Sequence, residues 1–470
     1  RMMAEGGTAG GNRKPGVIGR SLPRLEDPPL VAGLGNFAAD ISFPRQLTMR
    51  VVRAGYAHGR ITAIDTAAAR ASPGVVAVWT AADVADVPPV PYREGRIEVL
   101  EPYRQPVLAR DIVRYVGEPV AVVFAEDAYL AEDAADLVQV TIEPLPAHLA
   151  AEAPPVEFAP GRSSEALVLR KAYGDLDAAF RNAHRVIALE LSVGRHSGVP
   201  LETRGAIARW DRGRDLLELH GAAKVLHRNR AALAELLGRP EASVQLHEGN
   251  VGGGFGIRGE LYPEDILVCV AALRLRRPIK WIEDRREHLI AANHSRQQLH
   301  RIRAAVDRDG RLLGVDDDFF LDQGAYPRTH AARVVDMTAA ILPGPYRIPA
   351  YRAVGHYRLT NKTPAATYRS PGRYESTFVR ERLMDAIAAA YELDPIELRR
   401  RNLIAASEMP YVIPIEALGE EVSYDNGDYA ALLDQALDKI GWPGLQETLA
   451  RRRAAGEAVG AGVAIFVEKT

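Results

Sequence analysis

The residues with the clearest potential for chemistry form a nearly bare stretch of backbone at 252–256, where the sequence reads Gly-Gly-Gly-Phe-Gly. Glycine is favoured where backbone amides must approach a ligand closely or where φ must be positive. Successive bare amides can form a concave site for an anion, and the ring of Phe255 could exclude water or stack on a flat group. Because glycine-rich turns are also common structural elements, the stretch alone leaves a ligand loop and a tight structural turn both open.

Two familiar phosphate-binding motifs fit this loop poorly. A P-loop closes with Gly-Lys-Ser or Gly-Lys-Thr, whereas Gly256 is followed by Ile-Arg-Gly-Glu. The dinucleotide fingerprint needs a Gly-x-Gly-x-x-Gly order within a β-α-β unit, and the loop does not provide it. An unrelated nucleotide-binding protein is therefore the weakest of the functional hypotheses.

A second candidate is the turn at 367–375, of sequence Thr-Tyr-Arg-Ser-Pro-Gly-Arg-Tyr-Glu, which opens a helix predicted at 375–391. Helix N-termini present free amides and favour anions, and Arg369 and Arg373 add guanidinium donors. The alternative is an ordinary Pro-Gly turn in front of a helix.

Other polar residues predict less. Glu202 and Arg204 could orient a site, although a solvated ion pair is the favoured interpretation. Asp316, Asp317 and Asp318 are predicted to form a solvated strand end or turn. No metal-ligand spacing is found among four of the histidines: His58, His196, His220 and His227.

Composition is typical of a soluble globular protein, with 470 residues, 47% apolar and 26% charged. This length predicts two or three domains, and the net charge of −2 gives no electrostatic case for nucleic acid. The single cysteine, Cys269, cannot hold an iron–sulfur cluster and is predicted to be a core residue. No apolar stretch approaches a membrane span, and the polar N-terminus lacks a secretory signal, so we expect a cytoplasmic protein without a membrane partner.

Changes in composition divide the chain into a flexible tail (1–14), an α/β domain (15–150), a proline-rich linker (151–164), a second domain (165–410) and a final segment (411–470). Within the first domain, a continuous apolar run, a helical pattern and a further strand between residues 118 and 142 predict a β-α-β unit. At the end of the chain, residues 460–470 predict a strand without neighbours to pair with. We therefore expect a partner chain or a longer product.

Taken together, these residues resemble the molybdenum-cofactor-binding subunit of the xanthine dehydrogenase/aldehyde oxidase/carbon monoxide dehydrogenase family. The ordered combination is more specific than any one motif and extends through nearly everything after residue 15. The similar motifs are Tyr-Val-Gly-Glu-Pro-Val-Ala-Val-Val at 115–123, Gly-Gly-Gly-Phe-Gly at 252–256, Arg-Pro-Ile-Lys-Trp at 277–281, Glu-Asp-Arg at 283–285, Asp-Gln-Gly-Ala-Tyr at 322–326, Gly-Pro-Tyr at 344–346, Tyr-Arg at 368–369, Asp-Pro at 394–395 and Arg-Arg-Asn at 400–402.

The resemblance implies an α+β fold: an N-terminal α/β hammerhead domain, a large mixed α/β molybdenum-cofactor-binding domain and the start of a second one. It also implies a molybdenum-containing oxidoreductase that hydroxylates an aldehyde or an N-heteroaromatic carbon with water. The metal is held by a pterin dithiolene and not by side chains, and the cofactor performs the difficult step. By resemblance the residues that bind this cofactor are Gly253, Gly254, Phe255, Gly256, Arg369, Ser370 and Gly372, with the amides of Phe255 and Gly256 close to a molybdenum oxygen.

Departures from the family pattern reduce the number of substrate classes that we expect. Lys224 replaces the family's usual glutamine, and a charged lysine can only donate hydrogen bonds. Ser370 stands where the carbon monoxide enzymes carry a cysteine, which disfavours that substrate; Lys224 and Ser370 are the two candidate catalytic residues of this chain. Met337 and Pro371 occupy positions at which purine hydroxylases have arginine and phenylalanine, which disfavours purines.

The family's catalytic glutamate, a general base, belongs to a C-terminal half that these 470 residues do not include. The resemblance therefore implies several partners: that C-terminal half, a [2Fe-2S] subunit, an FAD subunit and a small-molecule substrate. It also implies molybdopterin as the cytosine dinucleotide. The alternative is a non-catalytic molybdopterin-binding or assembly subunit, in which Lys224 and the missing glutamate mark lost chemistry.

Overall fold

The computed structural model describes residues 16–92, 97–221, 225–329 and 332–468. Across these ranges the fold is mixed α/β, as predicted, and is dominated by a seven-stranded sheet and a five-stranded sheet. No helix within them combines the length and the apolar character that crossing a bilayer requires.

The first part of the chain supplies three strands of the large sheet and a small sheet beside it. Its helices and strands are α1 (Asp27–Val31), β1 (Leu47–Arg53), β2 (Gly59–Asp65), α2 (Ala67–Ala71), β3 (Val75–Thr80), β4 (Ile112–Val113), β5 (Pro119–Ala125), α3 (Ala128–Asp136) and β6 (Gln139–Pro144).

The predicted β-α-β unit is wrong in its pairing, although β5, α3 and β6 all form. Strand β5 is buried along its whole length and lies between β1 and β3 in the large sheet, whereas β6 pairs antiparallel with β2 in a separate three-stranded sheet. Side chains of β6 alternate between partly buried and exposed, so it suits a sheet with one solvated face. A strand that is apolar on both faces needs the central place instead.

The second part contributes the other four strands of the seven-stranded sheet, all five strands of the five-stranded sheet and helices that cover them. Its elements are β7 (Glu157–Ala159), β8 (Arg162–Ser163), β9 (Glu165–Tyr173), α4 (Leu176–Arg181), β10 (Arg185–Val193), β11 (Gly205–Asp211), β12 (Leu216–Gly221), α5 (Leu226–Leu236), β13 (Val244–His247), α6 (Pro263–Leu275), β14 (Ile279–Ile282), α7 (Arg285–Ala291), β15 (Gln297–Val306), β16 (Leu312–Gly324), α8 (Arg333–Ile341), β17 (Ala350–Leu359), α9 (Arg373–Ala390) and α10 (Pro395–Asn402).

One sheet joins the two parts. Its strand order is β13-β12-β11-β14-β1-β5-β3, and β1 lies parallel to β14. Helix α6 packs on this sheet with a continuous buried run that includes Cys269, which confirms the prediction that this thiol is a core residue. The five-stranded sheet, β10-β15-β16-β17-β9, forms a second core with α8 and α9.

The aspartate triplet is not a solvated turn, contrary to the prediction. Asp316 and Asp317 lie within β16 and are 8% and 1% exposed. Arg303 and Arg352 on the neighbouring strands both donate to Asp316, at 2.7–2.9 Å. Because cross-strand cations offset the buried charge, a carboxylate at this place is compatible with a strand.

The last elements are β18 (Tyr411–Ala417), β19 (Glu420–Tyr424), α11 (Tyr429–Ile440) and α12 (Trp442–Ala454). The strand predicted at 460–470 is absent from its described part, 460–468. The backbone of Ile465 is held instead by side chains of α9: Arg380 donates to its carbonyl at 2.8 Å, and its amide donates to Glu381 at 3.2 Å. These contacts satisfy the polar backbone groups that a strand neighbour would otherwise have to satisfy.

Candidate functional site

Two connections, one from each large sheet, meet at a single place. We call residues 252–256 the glycine loop, which lies between β13 and α6, and residues 367–372 the arginine turn, which lies between β17 and α9. The amide of Arg369 donates to the carbonyl of Phe255 at 2.8 Å. A Cβ atom at Gly256 would lie 2.9 Å from both Cγ2 and the carbonyl oxygen of Thr367. The two segments that the sequence selected separately therefore form one site.

The amides of the glycine loop are available to a ligand. Within the described parts of the chain, the N–H groups of Gly253, Gly254, Phe255 and Gly256 donate to no protein acceptor. Gly256 is buried, and a buried amide without a partner is rare in folded proteins. Four successive free donors in a partly enclosed loop are suited to a ligand that offers oxygen acceptors.

Backbone conformation explains the glycines. Gly253 and Gly256 have φ values of +100° and +107°, and Phe255 itself has φ of +51°. A side chain at Gly252 would overlap Cβ of Glu202. At Gly254, by contrast, a Cβ atom would meet nothing closer than the Arg258 side chain at 3.9 Å, so this glycine keeps open the space in front of the loop.

Glu202 and Arg258 fasten the start of the glycine loop, and the prediction of a solvated ion pair at 202–204 is wrong. The Glu202 carboxylate accepts hydrogen bonds from the Gly252 amide at 2.8 Å and from the Arg258 guanidinium at 2.7 Å. It also accepts a hydrogen bond from the amide of Ala38 at 3.1 Å. The Arg258 side chain is 2% exposed. Glu202 thus pairs with the loop and not with Arg204.

Arg204 anchors the same segment to the sheet beneath. It is buried between Glu283 and Glu264 and stacks over the ring of Tyr262 at 4.0 Å. Burial opposes ionisation of Glu283, but the Arg204 guanidinium and the hydrogen bond with His288 outweigh burial and lower the pKa of Glu283 to about 2. Glu283 is therefore charged at neutral pH, and its ion pair with Arg204 holds residues 202–204 against the sheet.

The end of the glycine loop is held from the other side. The hydroxyl of Tyr262 donates to the carbonyl of Ile257 at 2.6 Å. The carboxylate of Glu260 accepts hydrogen bonds from the amide of Thr329, at 2.6 Å, and from the side chain of Asn293. Both ends of the loop are thereby fixed, while the amides of Gly253, Gly254 and Phe255 donate to no acceptor in the described part of the chain.

The arginine turn presents two of its middle residues to solvent. Arg369 and Ser370 are exposed and have φ values of +28° and +54°. Among the described residues the Arg369 guanidinium has no ion-pair partner. Gly372 is buried with φ of +77°, and a Cβ atom there would lie 2.8 Å from Cβ of Met337. The turn thus offers a free guanidinium beside the free amides.

Several residues of the site have no obvious signal in the sequence. Arg258 follows the glycine loop closely, yet its burial and its contact with Glu202 depend on the fold. Arg296 and Glu375, which hold the arginine turn from inside, lie 79 residues apart. Lys224 lies outside the described residues. No group of three or more potential metal-ligating side chains occurs within the described ranges.

Two family descriptions match the chain. Residues 159–403 match "Molybdopterin cofactor-binding domain", and residues 32–146 match "Aldehyde oxidase and xanthine dehydrogenase, a/b hammerhead domain". The first of these matches covers more than half of the 470 residues and includes the glycine loop and the arginine turn.

Individual relatives extend this likeness. The 6-hydroxypseudooxynicotine dehydrogenase complex subunit gamma of Paenarthrobacter nicotinovorans is 42% identical over 100% of this chain and 60% of that subunit. The nicotine 6-hydroxylase large subunit of the same organism is 36% identical over 97% of this chain and 56% of that subunit. Quinoline 2-oxidoreductase from Pseudomonas putida 86 superposes with a TM-score of 0.87 at 34% identity, over 96% of this chain and 57% of that chain. The chain thus spans less than two thirds of the length of these relatives.

Proposed function

Since this chain belongs to the molybdopterin cofactor-binding family of aldehyde oxidases and xanthine dehydrogenases, we propose that it forms part of the molybdenum subunit of a hydroxylase. The reaction class is oxidative hydroxylation with water, and the favoured substrate is an N-heteroaromatic ring. The glycine loop and the arginine turn are proposed as the part of the cofactor site that these residues contribute.

The free amides of the glycine loop are the observation that carries this proposal. They fit a cofactor that offers oxygen acceptors, because the buried amide of Gly256 lacks a protein partner and the space in front of Gly254 is open. The Arg369 guanidinium supplies charged donors at the same edge, where the cofactor carries negative charge. The hydrogen bond from the Arg369 amide to the Phe255 carbonyl joins the two backbone segments that carry these donors before the cofactor binds.

When bound, molybdopterin supplies the two-electron oxidation of the substrate carbon. The protein side of the chemistry is binding, orientation and exclusion of water. The amides of Phe255 and Gly256 are proposed to face an oxygen ligand of the metal, and Gly253, Gly254, Ser370 and Gly372 to line the cofactor. The Phe255 ring, 49% exposed, is proposed to shield this site from water. Lys224 is proposed as a donor to the same ligand sphere, since an ammonium group cannot accept a hydrogen bond.

The names of the relatives favour an N-heteroaromatic substrate. Nicotine contains a pyridine ring and quinoline a fused one, and both names belong to relatives that cover nearly all of this chain. Phe255 and Tyr374 leave apolar ring surface exposed at the site, 49% and 47% respectively, which suits a flat ring. Ser370 in place of cysteine disfavours carbon monoxide, and an aldehyde is the second substrate class.

The proposed assembly is a multisubunit cytoplasmic enzyme. The chain supplies no general base of its own in this scheme, so a C-terminal half with a glutamate completes the site. A [2Fe-2S] subunit and an FAD subunit accept the electrons, and the cofactor is the cytosine dinucleotide of molybdopterin.

Purification of the native complex that contains this chain tests the proposal. We expect nearly one molybdenum atom per chain and dye-linked oxidation of a pyridine or quinoline, with 18O from labelled water appearing in the product. Molybdenum without turnover on a broad panel of heterocycles and aldehydes would favour the non-catalytic alternative. A complex with neither molybdenum nor a fluorescent pterin after oxidation would reject both.

A further inference from the structure

A buried ion pair lies directly behind the arginine turn. Arg296, the residue that precedes β15, donates to Glu375 at 2.5 Å, and both side chains are 1% exposed. Among the described residues, neither side chain hydrogen-bonds to the glycine loop. Two charges in so dry a place cost free energy unless their remaining hydrogen-bonding capacity is used well.

Both partners use part of that capacity on the backbone of the turn, while Nε of Arg296 has no hydrogen-bond partner among the described residues. The Arg296 guanidinium donates to the carbonyl of Tyr368 and, at 3.4 Å, to the carbonyl of Ser370. The Glu375 carboxylate accepts the amide of Gly372 at 2.8 Å. The pair therefore hydrogen-bonds to the backbone on each side of Arg369, at residues 368, 370 and 372.

Residues 369 and 370, which these hydrogen bonds surround, have an unfavourable backbone conformation. Arg369 and Ser370 are consecutive residues with a Cβ atom, and both have positive φ. Such conformations persist where the surroundings over-determine them. The hydrogen bond from the Arg369 amide to Phe255 fixes one point, and the ion pair supplies the others.

We infer that Arg296 and Glu375 are positioning residues that hold the arginine turn in the conformation that presents Arg369 to the cofactor. This inference rests on the proposed function, because it assumes that the turn binds molybdopterin. Neither residue touches the cofactor in this scheme. They act through the backbone of 368–372. Their loss is expected to weaken cofactor binding more than it weakens substrate affinity.

The test measures molybdenum content in the purified holoenzyme for Glu375→Gln and Arg296→Lys. Glu375→Gln removes the charge that Arg296 needs, and Arg296→Lys keeps a charge but loses the planar fork that reaches two carbonyls. We expect a loss of retained molybdenum of roughly tenfold or more, the size found for residues that orient metal ligands. In the molecules that keep the metal, we expect an altered Mo(V) electron paramagnetic resonance signal and a lower kcat with nearly unchanged KM.

A matched control separates positioning from general loss of stability. Arg399 and Glu381 form another buried pair, 1% and 5% exposed, and in the described part of the chain neither side chain hydrogen-bonds to residues 367–372. Glu381→Gln breaks that pair, and we expect it to lower the thermal unfolding midpoint as much as Glu375→Gln while molybdenum content stays at the wild-type level. An equal loss of molybdenum in Glu381→Gln would overturn the inference.

A double variant covers the case in which a single charge left in the core prevents folding. Arg296→Met combined with Glu375→Met removes both charges, and such replacements of buried pairs are often tolerated. We expect this protein to fold and still to lose molybdenum. Wild-type molybdenum content in the double variant would overturn the inference, whereas a wild-type complex without molybdenum would reject the proposed function itself.

Discussion

The amide of Arg369 donates a 2.8 Å hydrogen bond to the carbonyl of Phe255, so the glycine loop and the arginine turn are joined backbone to backbone. Beside this contact, Gly256 approaches Thr367 so closely that a Cβ atom would have no room. Substitutions that change backbone conformation at this contact should therefore alter the geometry of the proposed cofactor site.

Gly256→Ala tests this close approach. The residue has φ of +107°, and its new Cβ atom would lie 2.9 Å from two atoms of Thr367, so either the loop shifts or the strain costs about 1–3 kcal/mol. We expect lower molybdenum content and a lower unfolding free energy, measured by metal analysis and urea titration. Gly194→Ala is the control, because a Cβ atom there meets nothing within 4 Å. Equal behaviour of the two variants would show that the approach is not required.

Gly254→Ala separates ligand access from folding. A Cβ atom there would touch Arg258 at van der Waals distance, 3.9 Å, so we expect the unfolding free energy to change by no more than about 0.5 kcal/mol. If the loop faces the cofactor, the added methyl group occupies the ligand's space and molybdenum content falls. A Gly254→Ala enzyme with full molybdenum and full kcat would place the cofactor elsewhere.

Local sequence predicted much of the fold. The helices and strands around the glycine loop, β13 and α6, form where the apolar pattern places them, and the ordered motifs indicated the family that the matches to 32–146 and 159–403 confirm. The sequence failed where partners are distant in the chain. Glu202 lies 50 residues from Gly252, and no spacing indicates that its carboxylate would close on that amide.

The same limit explains the aspartate triplet and the β-α-β unit. A run of three aspartates is typical of a solvated turn, and only the cross-strand positions of Arg303 and Arg352 make a buried Asp316 tolerable. For β5 and β6, the chain shows two strands and a helix but not which sheet each strand joins. Pairing depends on the burial that the rest of the fold offers, and that is a property of the whole chain.

Glu202→Gln tests the side-chain fastening of the glycine loop. The change leaves the Arg258 guanidinium, 2% exposed, without its counter-charge, and breaking one partner of a buried pair costs about 3–5 kcal/mol. We expect a loss near the lower end of that range, because the Glu202 side chain is itself 13% exposed, with urea titration as the measurement.

Glu241→Gln serves as the control for Glu202→Gln. Its partner is Arg230, and the side chains are 47% and 39% exposed, so the loss should stay within about 1 kcal/mol. A loss of the same small size in Glu202→Gln would mean that the loop is held by its backbone contacts alone.

Glu118 gives a pH-dependent prediction. Burial raises the pKa of its carboxyl from 4.5 to about 7, although hydrogen bonds from Tyr326 and from the amide of Arg114 act in the opposite direction. Between pH 4.5 and 7, the folded protein therefore keeps a proton on Glu118 that the unfolded chain has already released. Its favourable contribution is complete below pH 4.5 and is lost as the pH rises through 7.

We expect the unfolding free energy of the wild type to fall relative to Glu118→Gln between pH 5 and pH 7.5, by on the order of 3 kcal/mol, with no further change at higher pH. Urea titrations at several pH values measure the difference in unfolding free energy between the two proteins. The contributions of other buried groups cancel in this difference. One of them is Asp265, whose pKa is also raised by burial to about 7. Glu143→Gln, an exposed carboxyl of the same domain, should give a curve parallel to the wild type. A Glu118→Gln curve parallel to the wild type would show that Glu118 ionises in the folded protein as it does in the unfolded chain, because no proton would then be taken up on folding.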